Sequence, residues 1–156
     1  MSRSKNKLFI TIVTGSRAEY GLLEPLLKKF KISKRFHLTL LITGQHLSSK
    51  YGNTYKDIIK DNYYNNYKLI DIEIKSSIKN SVTKSLSKSI LKFGKYFQKN
   101  HTDILLILGD RYEILGVATS AYLNGVRIAH IHGGEKTIGS LDDAFRHSIT
   151  KFSHYH

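Results

Sequence analysis

The stretch DILLILGDRYE, residues 103–113, decides the fold. It opens with an almost uninterrupted apolar run, and a polar segment follows at once. A strand that is apolar on both faces is expected where helices cover both faces of a sheet, and this is the arrangement of parallel sheets. The stretch therefore predicts a buried parallel strand with polar side chains directly after its end.

Short runs rich in Ile, Leu and Val alternate with longer segments of helical period along the rest of the chain. They predict strands at 7–14, 37–43, 68–74, 103–108 and 126–132, and the start of a sixth strand at 154–156. They predict helices at 18–31, 54–61, 82–99, 112–123 and 142–152. Because crossovers between parallel strands are right-handed, the predicted fold class is α/β, a Rossmann-like doubly wound parallel sheet.

Length and composition limit the class of protein. The 156 residues suit one domain with its own core. The chain contains no cysteine, which excludes disulfides, thiolate metal sites and cysteine nucleophiles and agrees with a reducing compartment. The longest apolar runs are far too short to cross a bilayer, so we expect a cytoplasmic location and no membrane partner.

The formal net charge of +13 raises the question of a nucleic-acid partner. In residues 82–99 apolar side chains recur at helical spacing and lysines recur on a different face, which is typical of an amphipathic helix with a solvated face. The other lysines are spread without an arginine-rich block or an aromatic platform. We expect no nucleic-acid partner, and only a general attraction for anionic small molecules.

The first helix is predicted to begin directly after the first strand. Ser16 and Glu19 have the spacing of a capping box, and Arg17 follows the cap, where a helix N-terminus attracts anions. The segment lacks the G-x-G-x-x-G pattern, so no dinucleotide cofactor is indicated. Pro25 lies inside the helical span, and we expect a kink or a break there.

Acidic and basic residues follow the predicted strands, and the carboxyl ends of parallel strands lie at one edge of a sheet, where ligands bind. Asp110 is either a catalytic acid or the cap of the next helix, and Arg111 either belongs to the site or pairs with Asp110. Glu135 follows two glycines that allow a ligand to approach the backbone, and we favour a functional role for it.

The last helix begins with a second acidic group. Asp142 and Asp143 are favoured there by the helix dipole alone, so one of the two is expected to be structural. Arg146 and His147 lie one turn later and face either those acids or an anionic substrate.

Two histidines alternate along the fifth predicted strand. His130 and His132 would point to the same side of the sheet and, with Glu135, form a conceivable metal set. Buried, hydrogen-bonded histidines are commoner at the end of a strand than metal ligands, and we expect no metal.

Four motifs together resemble one family. TGSRAEYGLL (14–23), GDRYE (109–113), HIHGGEKT (130–137) and DDAFRHSITKFSHYH (142–156) look like the hydrolysing UDP-N-acetylglucosamine 2-epimerases of sialic acid biosynthesis. The resemblance implies a GT-B architecture of two Rossmann-like domains with the substrate between them. It implies conversion of UDP-N-acetylglucosamine and water to N-acetylmannosamine and UDP, by elimination of UDP and hydration of a glucal, without a cofactor.

The resemblance also assigns roles to residues of this chain. Asp110 and Glu135 match the catalytic acids and Asp142 matches a third carboxylate, while the acid that takes the C2 proton stays open. Arg17 and Arg111 match positions that face the nucleotide or its phosphates. The remaining candidates for substrate binding surround them: His132, Asp143, Arg146 and His147.

The resemblance implies that residues 1–156 correspond to the N-terminal domain of such an enzyme, and we expect the C-terminal nucleotide-binding domain to be missing from this sequence. We therefore expect little or no turnover by this polypeptide alone, and a homo-oligomer when the second domain is present. Two alternatives remain. One is a hydrolysing epimerase of a UDP-2,4-diacetamido-trideoxy sugar, as in legionaminic acid synthesis, and the other is a non-catalytic module that binds a sugar nucleotide.

Overall fold

The computed structural model describes residues 7–74, 79–137 and 139–156. The strands are β1 Leu8–Thr14, β2 Phe36–Thr43, β3 Asn66–Ile70, β4 Ile104–Leu108 and β5 Arg127–Ile131. The α-helices are α1 Arg17–Ile32, α2 Tyr55–Asp61, α3 Lys79–Lys99, α4 Tyr112–Leu123 and α5 Leu141–Phe152. Short 3-10 turns at Gly44–Leu47 and Ser49–Tyr51 connect β2 to α2. Over the described ranges, none of the helices combines the length and hydrophobicity that crossing a bilayer requires.

The five strands form one parallel sheet in the order β3-β2-β1-β4-β5. Successive side chains of the central strands point to opposite faces of the sheet and pack into two separate hydrophobic cores. On one face Val13 packs with α3, α4 and α5 through Phe93 and Val117, and on the other Ile12 packs with α1 through Leu27. The predicted Rossmann-like class is confirmed. Its strand order reverses between β1 and β4, and such a switch point opens a crevice at the carboxyl ends of the strands.

The first helix begins as predicted, but it does not break. The Ser16 hydroxyl accepts a hydrogen bond from the Glu19 N–H at 3.4 Å, whereas the Glu19 carboxylate accepts from the Gly15 N–H at 2.7 Å. Of the expected kink or break at Pro25, the break is wrong, because α1 continues through this residue to Ile32. Gly21, four residues earlier, is exposed, so water can bind the carbonyl that proline leaves without a donor.

The third strand lies earlier than predicted. It spans Asn66–Ile70 instead of 68–74, and its first four residues are exposed at the edge of the sheet. Because such a strand need not be apolar, its polar start hid it from the sequence pattern. The polar segment before it also contains Tyr64, which is buried in the core. The other elements agree with the predicted bounds to within three residues at each end.

The fifth strand ends one residue before His132, which was predicted to lie on it with His130. β5 ends at Ile131, and His132 lies in the following turn with φ of 63°. The prediction that His130 and His132 share one side of a strand is therefore wrong. The predicted sixth strand is present as one parallel bridge, in which the Tyr155 carbonyl accepts from the His130 N–H at 2.8 Å.

Candidate functional site

A single arginine gathers the two principal candidate acids at the carboxyl edge of the sheet. Asp110 follows β4, Glu135 follows β5, and Arg146 reaches both from α5. One Nη of Arg146 forms an ion pair with Asp110, and the other lies 3.8 Å from a Glu135 oxygen. The Arg146 side chain is 11% exposed and its Nε has no hydrogen-bond partner in the described part of the chain. The structure thus brings together carboxylates that are 25 residues apart in sequence.

The structural explanations considered for Asp110 and Arg111 are both wrong. The residue at the N-cap of α4 is Arg111, and Asp110 instead uses its carboxylate for Arg146. Arg111 turns away to Glu113, with 2.5 Å between Nε and Oε1, and lies 3.9 Å from a Glu19 oxygen. The two neighbouring residues therefore belong to two different charged clusters.

The turn after β5 presents Glu135 with a histidine partner. The His132 Nδ1 lies 2.8 Å from Glu135 Oε1, and both side chains are about half exposed. Gly133 is required in this turn, because a Cβ there would lie 2.8 Å from the Cβ of His156 and 2.9 Å from the His130 ring. The turn borders an open cleft of about 420 Å³ whose lining includes His132, Glu135 and His156.

His130 is a structural histidine beneath this turn. It is buried, and its Nε2 donates to the Gly109 carbonyl at 2.7 Å, because a carbonyl oxygen can only accept. Its Nδ1 lies 3.2 Å from the Thr150 hydroxyl. Burial lowers the pKa of His130, which favours the neutral ring. With both nitrogens in hydrogen bonds, this ring has no free position for a metal, and residues 7–74, 79–137 and 139–156 contain no group of three potential metal ligands.

The acids at the start of α5 differ in their contacts. Asp143 accepts from the Thr137 N–H at 2.7 Å and lies 3.4 Å from the His147 ring, so it fixes the preceding loop. Asp142 is exposed, and its N–H donates to the cap Ser140 at 3.2 Å. Asp143 is therefore the structural member of the pair, and His147 pairs with it rather than with the acids on Arg146.

Arg17 lies apart from these groups. It is exposed at the first residue of α1 and borders a cleft of about 270 Å³ between α1 and α2. Tyr20, His46 and Asp61 line the same cleft. In the described ranges, no ion pair or hydrogen bond joins Arg17 to the group on Arg146.

A second charged cluster contains the predicted Arg111, whereas its two glutamates, Glu19 and Glu113, were not predicted as part of the site. The Glu113 side chain is 0% exposed and that of Glu19 is 8% exposed, and the Nε of Arg111 is the guanidinium atom nearest to both. Burial and the nearby Glu113 raise the pKa of Glu19 to about 7, against the opposing effects of the Gly15 N–H and Arg111. In the sequence Glu19 was explained by helix capping alone, and no local pattern reveals that its carboxylate is buried.

A family model for UDP-N-acetylglucosamine 2-epimerases matches residues 28–156. The chain belongs to this family. It is 43% identical over 147 residues to the polysialic acid biosynthesis protein P7 of Escherichia coli, which covers 94% of this chain and 37% of that protein. It is 41% identical over 153 residues to the GDP/UDP-N,N'-diacetylbacillosamine 2-epimerase (hydrolyzing) of Campylobacter jejuni, which covers 98% of this chain and 39% of that protein.

Solved structures agree on the fold. The UDP-GlcNAc 2-epimerase from Neisseria meningitidis bound to UDP-GlcNAc superposes with a TM-score of 0.75 at 18% identity, over 96% of this chain and 40% of that one. Another UDP-N-acetylglucosamine 2-epimerase gives a TM-score of 0.77 at 18% identity, over 95% of this chain and 40% of that one. The chain thus spans less than two fifths of the length of the curated relatives given above.

Proposed function

We propose that this chain supplies the acid–base half of the active site of a hydrolysing UDP-N-acetylglucosamine 2-epimerase that serves sialic acid biosynthesis. The observation that carries the proposal is the contact of Asp110 and Glu135 with one arginine at the carboxyl edge of the sheet. Family membership supports the nucleotide-sugar substrate. The match to a polysialic acid biosynthesis protein supports the pathway, and a relative named as a hydrolyzing enzyme supports the hydrolytic outcome.

The chemistry requires groups of the kind found at this edge. Loss of the C2 proton and departure of UDP from C1 leave a C1–C2 double bond. Water then adds its hydroxyl to C1 and a proton to C2, on the face opposite the one from which the first proton left. In our proposal one carboxylate takes the C2 proton, and a second exchanges protons with the leaving oxygen or the incoming water. Asp110 and Glu135 are the first candidates for these roles, and the exposed Asp142 is the third.

The diphosphate needs cations, which we assign to Arg17, Arg111 and Arg146, with His132 and His147 near the sugar. We further propose that the chain acts as the N-terminal domain of a two-domain GT-B enzyme, a homo-oligomer, in which the other domain completes the cleft. The short span of the chain along its relatives supports this arrangement.

The test is a chimera in which this chain replaces the matching region of the E. coli P7 protein. Release of both UDP and free N-acetylmannosamine from UDP-N-acetylglucosamine is expected, with deuterium at C2 when the reaction runs in D₂O. The isolated chain should show little or no UDP release. Asp110→Asn and Glu135→Gln should each lower kcat by at least about a hundredfold.

Asp103→Asn is the matched control, because Asp103 lies just before β4, at the opposite edge of the sheet, and accepts from the Phe9 N–H at 2.8 Å. Formation of UDP-N-acetylmannosamine instead of the free sugar would contradict the hydrolytic assignment. Full activity of both acid variants would contradict the site.

A second substrate is favoured by two relatives. A UDP-N,N'-diacetylbacillosamine 2-epimerase (hydrolyzing) is 37% identical to this chain, and the GDP/UDP-N,N'-diacetylbacillosamine 2-epimerase (hydrolyzing) given above is 41% identical. Parallel measurement of kcat/KM with UDP-N,N'-diacetylbacillosamine and UDP-N-acetylglucosamine on the same chimera decides between them. Binding of UDP-N-acetylglucosamine in calorimetry, with no turnover in the chimera, would instead favour a binding module.

A further inference from the structure

We propose that Glu113 and Glu19 are positioning residues for Arg111, holding its Nε side inside the protein so that its outer N–H groups face a diphosphate-bearing ligand. This inference rests on the proposed function, since it concerns how that site binds its nucleotide sugar. The motifs assign neither glutamate a role in the site, and neither contacts the group on Arg146 in the described part of the chain.

The direction of Arg111 follows from its contacts. Its Nε donates to Glu113 Oε1 at 2.5 Å and is 3.9 Å from Glu19 Oε1, so both carboxylates lie on one side of the guanidinium. The side chain is 32% exposed. In the ranges that the structure describes, three buried side-chain atoms have no hydrogen-bond partner: Glu19 Oε1, Glu113 Oε2 and Arg146 Nε. Neither Nη of Arg111 is among these atoms, and neither has a hydrogen bond within those ranges, so both reach the surface of the described part of the chain with N–H donors that suit phosphate oxygens.

Both glutamates are held by neighbouring parts of the chain at the switch point. Glu19 accepts from the Gly15 N–H at 2.7 Å in the turn between β1 and α1. The backbone of Glu113 is held from α3, where the Ser89 hydroxyl donates to its carbonyl at 3.0 Å. Arg111 directly follows Asp110, so this framework holds a cation beside a candidate catalytic acid.

The charges of the cluster do not balance when both carboxylates are ionised. Two buried carboxylates then face one guanidinium, with Tyr112 as the neighbouring titratable group. A proton on Glu19 restores neutrality and strengthens the attraction of Arg111 for an anion, and loss of that proton weakens it.

The experiment measures the affinity of the P7 chimera for UDP-N-acetylglucosamine by calorimetry between pH 6 and 8.5. The diphosphate of this ligand is esterified at both ends and does not titrate in that range. Glu113→Gln should weaken binding about tenfold at every pH, because Arg111 loses its anchor. Wild-type affinity should fall severalfold as the pH rises through 7, and Glu19→Gln should remove that dependence while keeping the low-pH affinity.

Glu73→Gln is the control, because Glu73 pairs with Lys88 of α3 beyond β3 and should leave both readouts unchanged. Arg111→Lys tests the same orientation without altering the buried acids, and it should match Glu113→Gln if that variant folds poorly. Wild-type affinity in Glu113→Gln and Arg111→Lys, or a pH dependence that persists in Glu19→Gln, would overturn the positioning role and leave the proposed function intact. Absence of binding by the unmodified chimera would overturn the proposed function itself.

Discussion

A close approach between α3 and α4 gives a sharp prediction at Gly116. A Cβ at this position would lie 2.6 Å from the Cβ of Ser89, which is about 0.8 Å short of ordinary contact at 3.4 Å. It would also lie 3.2 Å from Leu86. Overpacking of this kind costs about 1–3 kcal/mol, while alanine gains about 1 kcal/mol of helix propensity over glycine. Gly116→Ala should therefore lower the free energy of unfolding by up to about 2 kcal/mol.

Urea unfolding followed by circular dichroism measures this change. Gly94→Ala is the matched control, because Gly94 lies within α3 and no atom lies within 4 Å of the position that an added methyl group would take; this variant should raise stability by about 0.5–1 kcal/mol. Ser89→Gly, which removes a hydrogen bond to the Glu113 carbonyl, should cost less in the Gly116→Ala background than in the wild-type background, which is a favourable coupling. If Gly116→Ala were as stable as Gly94→Ala, the inferred contact between the two helices would be refuted.

Three further changes follow from the charged groups. The pKa of Glu19 is raised to about 7, so the stability that this group contributes is lost as the pH rises from about 4.5 to 7. Glu19→Gln should remove up to about 3 kcal/mol of this loss, measured by urea unfolding at pH 5 and at pH 8. Burial lowers the pKa of His46 to about 4, so its contribution is lost as the pH falls from about 6.5 to 4; His46→Gln should flatten that acid limb, and an unchanged limb would contradict the assignment. Arg146→Met leaves Asp110 without its cation and should cost about 1–3 kcal/mol in thermal unfolding at pH 7, whereas Arg17→Met, at an exposed position, should cost less than about 0.5 kcal/mol.

The fold was largely predictable because its central strands are apolar on both faces. DILLIL at 103–108 shows the covered sheet directly, and the helix that follows has the predicted bounds. Two of the errors arose where burial does not govern the sequence. β3 is an exposed edge strand with a polar start, and His132 adopts a left-handed conformation that no apolar pattern marks.

The site was predictable only as far as strand ends reveal it. Asp110 and Glu135 were found because they follow β4 and β5, and parallel strands place such residues at one edge. Their common contact with Arg146 depends on how α5 packs, and the roles of Glu19 and Glu113 depend on burial. Both are tertiary properties, and neither has a signal in local spacing.

Because Arg146 of α5 holds the acid pair, the site can be lost by local unfolding of α5 while the rest of the fold stays intact. α5 has one fully buried residue, Ile149, and a half-buried Phe152 whose ring lies 5.2 Å from that of Tyr122. A helix held by so little apolar surface can detach by local unfolding while the central sheet stays folded. Each such opening withdraws Arg146 from both carboxylates. Warming should thus abolish the acid–base chemistry that we propose for this site before the sheet melts, and amide hydrogen exchange within α5 would report that earlier loss.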